Sequence, residues 1–229
     1  MMRWIQTVGL LIAKEVRVEW RGKELMTLLL CGSVMTSVLV GAGVSSAILD
    51  ARTTTKIFPM LLWIVFLLAG TSSVSRSSES ELEGRGFEGL LLVGVSGAQM
   101  YIAKVVVTAV VFTLNFVVLL CLLAAVLDQG IGATFVPLLL VGCSASVALS
   151  ALVVLLTAIA STSRLRGVLV PILALPLLFP LFFAAVEMTT QLVLYGALDT
   201  TTVWPSIVVC ATTAYLLVGI NLFETAIRD

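Results

Sequence analysis

The 229 residues are 60% hydrophobic and only 11% charged, with a mean hydropathy of +1.16. No soluble domain of this size hides so much apolar surface in one core, so the natural solvent of this chain is a bilayer. Lysine plus arginine equals aspartate plus glutamate at 13 each, so the net charge argues for neither nucleic acid nor an acidic partner.

The first 22 residues form an amphipathic pattern. Trp4, Ile5, Val8, Leu11, Ile12 and Val16 share one face of a helical wheel, and Arg3, Gln6, Thr7, Lys14, Arg17 and Arg21 share the other. That division predicts an interfacial helix over 1–22, lying along the cytoplasmic leaflet. The plainer alternative is a topology anchor. Charges recur through Lys23 with no small-residue cleavage site, so a cleaved signal peptide is not expected.

A helix needs roughly 20 apolar residues to cross a hydrocarbon core of about 30 Å. Six stretches meet that length, at 25–48, 57–74, 98–127, 135–161, 167–188 and 203–223, and none alternates as barrel strands do. The expected class is an all-α membrane protein, a single domain over 1–229 with six transmembrane helices. In the first span Ser33, Ser37, Gly41 and Ser45 recur every four residues, a small-xxx-small face for close packing within one subunit or between two.

Between the second and third spans the chain turns polar. Glu79, Glu81, Glu83 and Glu88 precede the apolar Leu90, Leu91 and Leu92, with Phe87 beside them. The pattern predicts a short helix over 79–92 with an acidic start, placed as a docking element or as an ordinary surface loop touching the membrane. Carboxylates at a helix N-terminus are favoured by about 0.3–1 kcal/mol each.

In the fourth span the string GCSAS at 142–146 invites a protease reading, but the chain has no histidine to act as base. Small residues that let helices approach explain it more simply. The absence of histidine also excludes imidazole metal sites. Cys31, Cys121, Cys143 and Cys210 lie one to a span without CxxC spacing, and are expected as small buried apolar residues, not disulfides or zinc ligands. No phosphate-binding GxxxxGK[ST] loop occurs, so any ATP must be bound by another chain. Ion-coupled carriers usually hold charged groups within their spans. Here the one candidate is Glu187, expected at the outer end of the fifth span, so proton coupling is disfavoured.

The fifth span carries Pro171, Pro176 and Pro180. Each removes a backbone donor and clashes with the carbonyl four residues earlier. The expected result is a bent helix lining a lateral opening or a subunit contact, or else a static kink that serves packing.

Orientation follows from the basic residues. Arg3, Lys14, Arg17, Arg21, Lys23, Arg76, Arg85, Lys104, Arg164, Arg166 and Arg228 fall on one side, and only Arg52 and Lys56 on the other. Both termini are therefore expected in the cytoplasm.

The interfacial helix, six spans and acidic-then-leucine helix together resemble the ABC-2 type of transporter permease. ELEGRGFEGLLLVGVSGAQMYIAKVV, from Glu81, is similar to the corresponding stretch of the haem exporter B (CcmB) family of cytochrome c maturation. RGVLVPILALPLLFPLFF, from Arg166, is closer still, with Arg166, Gly167, Pro176 and Pro180 on the family's basic-Gly start and its Leu-Pro-Leu-x-x-Pro-Leu run. The chain departs from the family at Gly84-Arg85-Gly86, where an Asp-Gly pair is common, and at Gly94, Ser96 and Gly97, which replace prolines.

The resemblance implies a membrane subunit, not an enzyme, in an ATP-driven complex for haem delivery to c-type cytochromes. Its implied setting is a bacterial inner membrane. A partner ATPase would bind ATP and grip the 79–92 coupling helix through Glu81, Glu83, Arg85, Phe87, Glu88 and Leu91. Gating would fall to Arg166, Gly167, Pro171, Pro176 and Pro180. Further implied partners are a histidine-bearing haem-handling subunit, a small helical subunit and a second copy of this chain, with the first and fifth spans near the two-fold axis. No cofactor is expected on this chain, since axial histidine ligation of haem iron cannot come from it. Two rival readings stand beside this one: an ABC-2 permease for another amphiphile, such as a lipid-linked glycan or peptide, and a scaffold that couples ATP hydrolysis to release of a haem chaperone without moving haem.

Overall fold

A computed structural model describes residues 2–22, 24–47, 50–83, 96–161, 166–199 and 201–228. Among them are seven helices and no strands: α1 (Met2–Gly22), α2 (Glu24–Ser46), α3 (Ala51–Glu83), α4 (Gly97–Val126), α5 (Phe135–Ser161), α6 (Arg166–Tyr195) and α7 (Val203–Arg228). Helices α2 to α7 are long and apolar enough to cross a membrane. The protein is an all-α, multi-pass membrane protein.

Helix α5 is the central post. It packs on α4, α6 and α7, while α2 joins α3 to α4, α3 meets α6, α6 meets α7 and α7 returns to α4. Lipid tails are as apolar as leucine, so such helices associate through close packing and interhelical hydrogen bonds rather than through hydrophobic exclusion. Both devices are present. Phe58, Leu62, Trp63 and Phe66 of α3 lock against Phe112 and Phe116 of α4. The Phe66 and Phe116 rings meet edge to face at 5.5 Å, and Trp63 lies 5.3 Å from Phe116. The Trp63 indole N–H donates to the Thr189 hydroxyl of α6 at 2.9 Å, and that hydroxyl donates to the Ala185 carbonyl at 2.8 Å.

The small-residue face of the first span turns inward. Ser33, Ser37 and Gly41 are buried, and Ser33 donates to the Asn115 side-chain oxygen of α4 at 2.8 Å. A Cβ on Gly41 would stand 1.9 Å from Val126 Cγ1, so a larger residue would require the Val126 side chain to move. The side chain of Ser45 lies outside the described residues.

Three elements differ from the sequence reading. The helix of the second span does not stop at 74 but runs unbroken to Glu83, because SRSSESELE holds neither glycine nor proline to end it. At 1.5 Å per residue, its 33 residues reach about 50 Å, well beyond a hydrocarbon core. Glu79, Glu81 and Glu83 therefore lie on the continuation of α3, and the rest of the expected 79–92 helix falls outside the described residues. The second departure is in α6, which continues two turns past Glu187, so that carboxylate sits inside the helix and not at its end. The third concerns the cysteines: Cys31, Cys121 and Cys210 are exposed on the bundle surface, and only Cys143 is half-buried. A small apolar side chain is as well accommodated by lipid as by protein, so exposure there costs little.

Helix α1 lies on α4 and buries Val8 and Leu11, while Trp4 and Val16 of the expected apolar face stay exposed. Glu19 accepts from the backbone N–H of Met26 at 3.0 Å. A carboxylate on α1 thus satisfies an orphan donor in the first turn of α2 and fixes the corner between them.

Candidate functional site

Helix α4 begins where the polar connection ends. Ser96 and Gln99 form a reciprocal capping box: the Gln99 N–H donates to Ser96 Oγ at 3.4 Å, and the Ser96 N–H donates to Gln99 Oε1 at 3.0 Å. Two donors that lack helical partners are satisfied at once, which anchors the helix start despite the flanking glycine.

One turn further in stands Tyr101, fully buried among Leu11 of α1, Ala151 and Leu155 of α5, and Phe223 of α7. Its hydroxyl lies 2.9 Å from the Ala151 carbonyl and 3.1 Å from the Tyr215 carbonyl of α7. A phenol has one proton to donate, and here it is shared between the backbones of two spans. Gly219 makes the approach possible, since a Cβ there would lie 2.1 Å from Tyr101 Cζ. The ring of Phe223 closes the other side at 5.4 Å.

From α7 the contact chain continues. The Tyr215 hydroxyl donates to the Leu177 carbonyl of α6, between Pro176 and Pro180. Pro180 leaves the carbonyl of residue 176 without its helical donor, and the neighbouring helix supplies a donor one residue along. Tyr101, Tyr215 and Leu177 therefore link the start of α4 to the proline segment of α6.

The gating residues read from the sequence all lie on α6. Pro176 and Pro180 are exposed, as are Leu177, Phe179 and Phe183, whereas Leu178 and Leu181 are buried. The Phe179 and Phe183 rings meet along that outer face at 5.0 Å, tilted by 48°. Side chains of Arg166, Gly167 and Pro171 lie outside the described residues, as do those of Glu81 and Glu83 at the end of α3. The remaining coupling candidates, Arg85, Phe87, Glu88 and Leu91, fall in 84–95, which is outside the described residues altogether.

Sequence reasoning missed Tyr101, Tyr215, Asn115 and the close approach at Gly219. Asn115 carried a usable signal, being the one asparagine within the apolar α4, where polar side chains act as interhelical glue. Its amide nitrogen and the Ser146 hydroxyl are buried without a partner among the described residues. The tyrosines carried no such signal, because each looks like an ordinary aromatic residue in a hydrophobic run. Among the described residues, no group of three or more His, Cys, Asp or Glu is placed to hold a metal ion.

No curated protein matches the chain closely enough to count as a relative. A family profile described as CcmB protein matches residues 6–228, nearly the whole chain, and takes in both α4 with its capping box and the proline-rich α6. This multi-pass chain therefore belongs to the CcmB family, the permease subunits of the cytochrome c maturation system.

Proposed function

We propose that the chain is the membrane subunit of an ATP-driven complex serving haem delivery to c-type cytochromes outside the cytoplasm. It performs no covalent chemistry. ATP is bound and hydrolysed by a partner subunit that grips the segment 79–92, with the haem-handling and small helical subunits completing the assembly. Haem is handled by the complex as a whole. Two copies of the chain pair near α2 and α6, and the termini face the cytoplasm of a bacterial inner membrane.

The observation that carries this reading is the contact chain from Tyr101 through Tyr215 to Leu177. A push delivered to the connection between α3 and α4 arrives first at the capping box, then at Tyr101, and from there at α5, α7 and the proline segment of α6. A chain without a nucleotide site that works with an ATPase needs such a path. A hydroxyl hydrogen bond contributes only about 1 kcal/mol net to stability, so its removal spares folding. Tyr101→Phe is therefore expected to accumulate near normally, yet to lower cytochrome c maturation severalfold while ATP hydrolysis continues. Haem-stained cytochrome measured per unit of membrane complex tests this, and an unchanged yield would overturn the path.

Docking is tested separately. Phe87→Ala and Glu88→Lys are each expected to lose the ATPase in co-purification while the permease remains inserted. A buried aromatic anchor at an interface is worth about 2 kcal/mol or more on truncation, roughly thirtyfold in affinity. Undiminished pull-down in both variants would remove the segment from the interface. Following haem flux and chaperone release side by side in the reconstituted complex separates transport of haem from mechanical release of its chaperone.

A further inference from the structure

Helix α1 has two faces, and packing on α4 uses only one of them. Val8 and Leu11 are buried toward α4. On the opposite side Leu10, Ala13, Lys14, Arg17, Val18 and Arg21 line an open groove of about 300 Å³. Positions 14, 17 and 21 follow one another at helical spacing, so three cations form a single stripe. Leu10 and Val18 flank that stripe and are 73% and 58% exposed.

Water is a poor environment for two large aliphatic side chains, and a hydrocarbon core is a poor one for three cations. The headgroup layer suits both, since it offers phosphates beside acyl chains. Helix α4, on which α1 lies, turns Val106, Val110 and Leu114 outward in a continuous apolar stripe. Acyl chains therefore have an outward-facing apolar surface on the helix that carries α1. Lys14 is already paired with Glu15 at 2.9 Å, whereas Arg17 and Arg21 have no acidic partner among the described residues. Guanidinium groups match phosphate oxygens in a two-pronged fork that lysine cannot reproduce.

We infer that this groove binds an anionic phospholipid of the leaflet at the basic end of the bundle. Arg17 and Arg21 hold the headgroup phosphate, Lys14 adds charge, and Leu10 and Val18 contact the upper acyl chain. Selectivity comes from the net negative charge of the headgroup, since a zwitterionic lipid brings its own ammonium into the same cationic groove. Each cation close to an anionic surface contributes roughly fivefold in affinity.

The test is native mass spectrometry of the full-length detergent-purified chain, titrated with phosphatidylglycerol or with phosphatidylcholine. Phosphatidylglycerol is expected to be retained about tenfold more strongly, with the preference falling as sodium chloride rises. Arg17→Gln with Arg21→Gln is expected to erase that preference, while Arg52→Gln with Lys56→Gln, at the other end of the bundle, leaves it intact. A wild-type chain with no preference overturns the proposal without recourse to any variant. So does a preference that survives in the Arg17→Gln, Arg21→Gln chain. Displacement of phosphatidylglycerol by millimolar inorganic phosphate would make the groove a free-anion site. Loss of a partner subunit from the purified complex, with lipid retention unchanged, would make it a protein interface. Either result defeats the lipid assignment.

Discussion

Replacing Pro176 and Pro180 together by alanine is expected to abolish cytochrome c maturation while the complex still assembles. Alanine restores a donor to the carbonyls of Ile172 and of residue 176 and removes two ring clashes, the two causes by which proline bends a helix. Proline is about 3 kcal/mol worse than alanine in a helix interior, so folding gains if it changes at all. Both side chains are exposed on the outer face of α6, and their replacement opens no cavity in the core. What changes is the shape of the helix that Tyr215 holds at Leu177. Maturation should drop at least tenfold at normal membrane levels of permease and ATPase. Full activity at normal levels would defeat the functional reading of the prolines. Poor accumulation would assign them to packing instead. Haem-stained cytochrome set against immunoblots of the complex separates these three cases.

Gly142→Leu is expected to prevent accumulation of the protein, and Gly142→Ala to lower its thermal midpoint markedly. A Cβ at this position would stand 2.1 Å from Phe116 Cε1. Phe116 is fully buried and wedged against Trp63 and Phe66, so the ring has no room to retreat. Overpacking a closed core costs about 1–3 kcal/mol for small additions, a large share of the margin by which most folds survive. Gly43 provides the control, since a Cβ there meets nothing within 4 Å and Gly43→Ala should behave as wild type. A second variant isolates the cause: Phe116→Leu in the Gly142→Ala background should recover part of the lost stability, as contacting residues do in double-mutant cycles. A normal midpoint for Gly142→Ala alone would mean that α4 and α5 can separate without penalty, and would sink the argument.

Much of the architecture is written in composition. The bilayer demands roughly 20 apolar residues per crossing, and the chain supplies six such runs. The family is legible too, in the leucine-rich stretch after Glu88 and in the proline run from Pro171 to Pro180. Boundaries were less legible. The end of α3 was hard to place from SRSSESELE, because serine competes for backbone hydrogen bonds and favours turns while glutamate and the lack of glycine or proline favour the helix.

Which residues face inward was the harder matter. In a soluble helix the buried stripe announces itself by hydrophobicity, but here lipid and protein interior are equally apolar, and the exposed Cys31 looks like the half-buried Cys143. The sequence by itself determined the solvent, the number of crossings, the basic asymmetry and the kinship, since each follows from local composition or a contiguous motif. Only the tertiary structure decided that Ser33 and Gly41 serve the contact of α2 with α4, and that Gly142 houses Phe116 and Gly219 houses Tyr101. It alone joined Tyr101, Tyr215 and Leu177 across three helices. Those pairings bring together residues far apart in the chain, and they depend on how closely two backbones approach, which the identity of either residue alone does not encode.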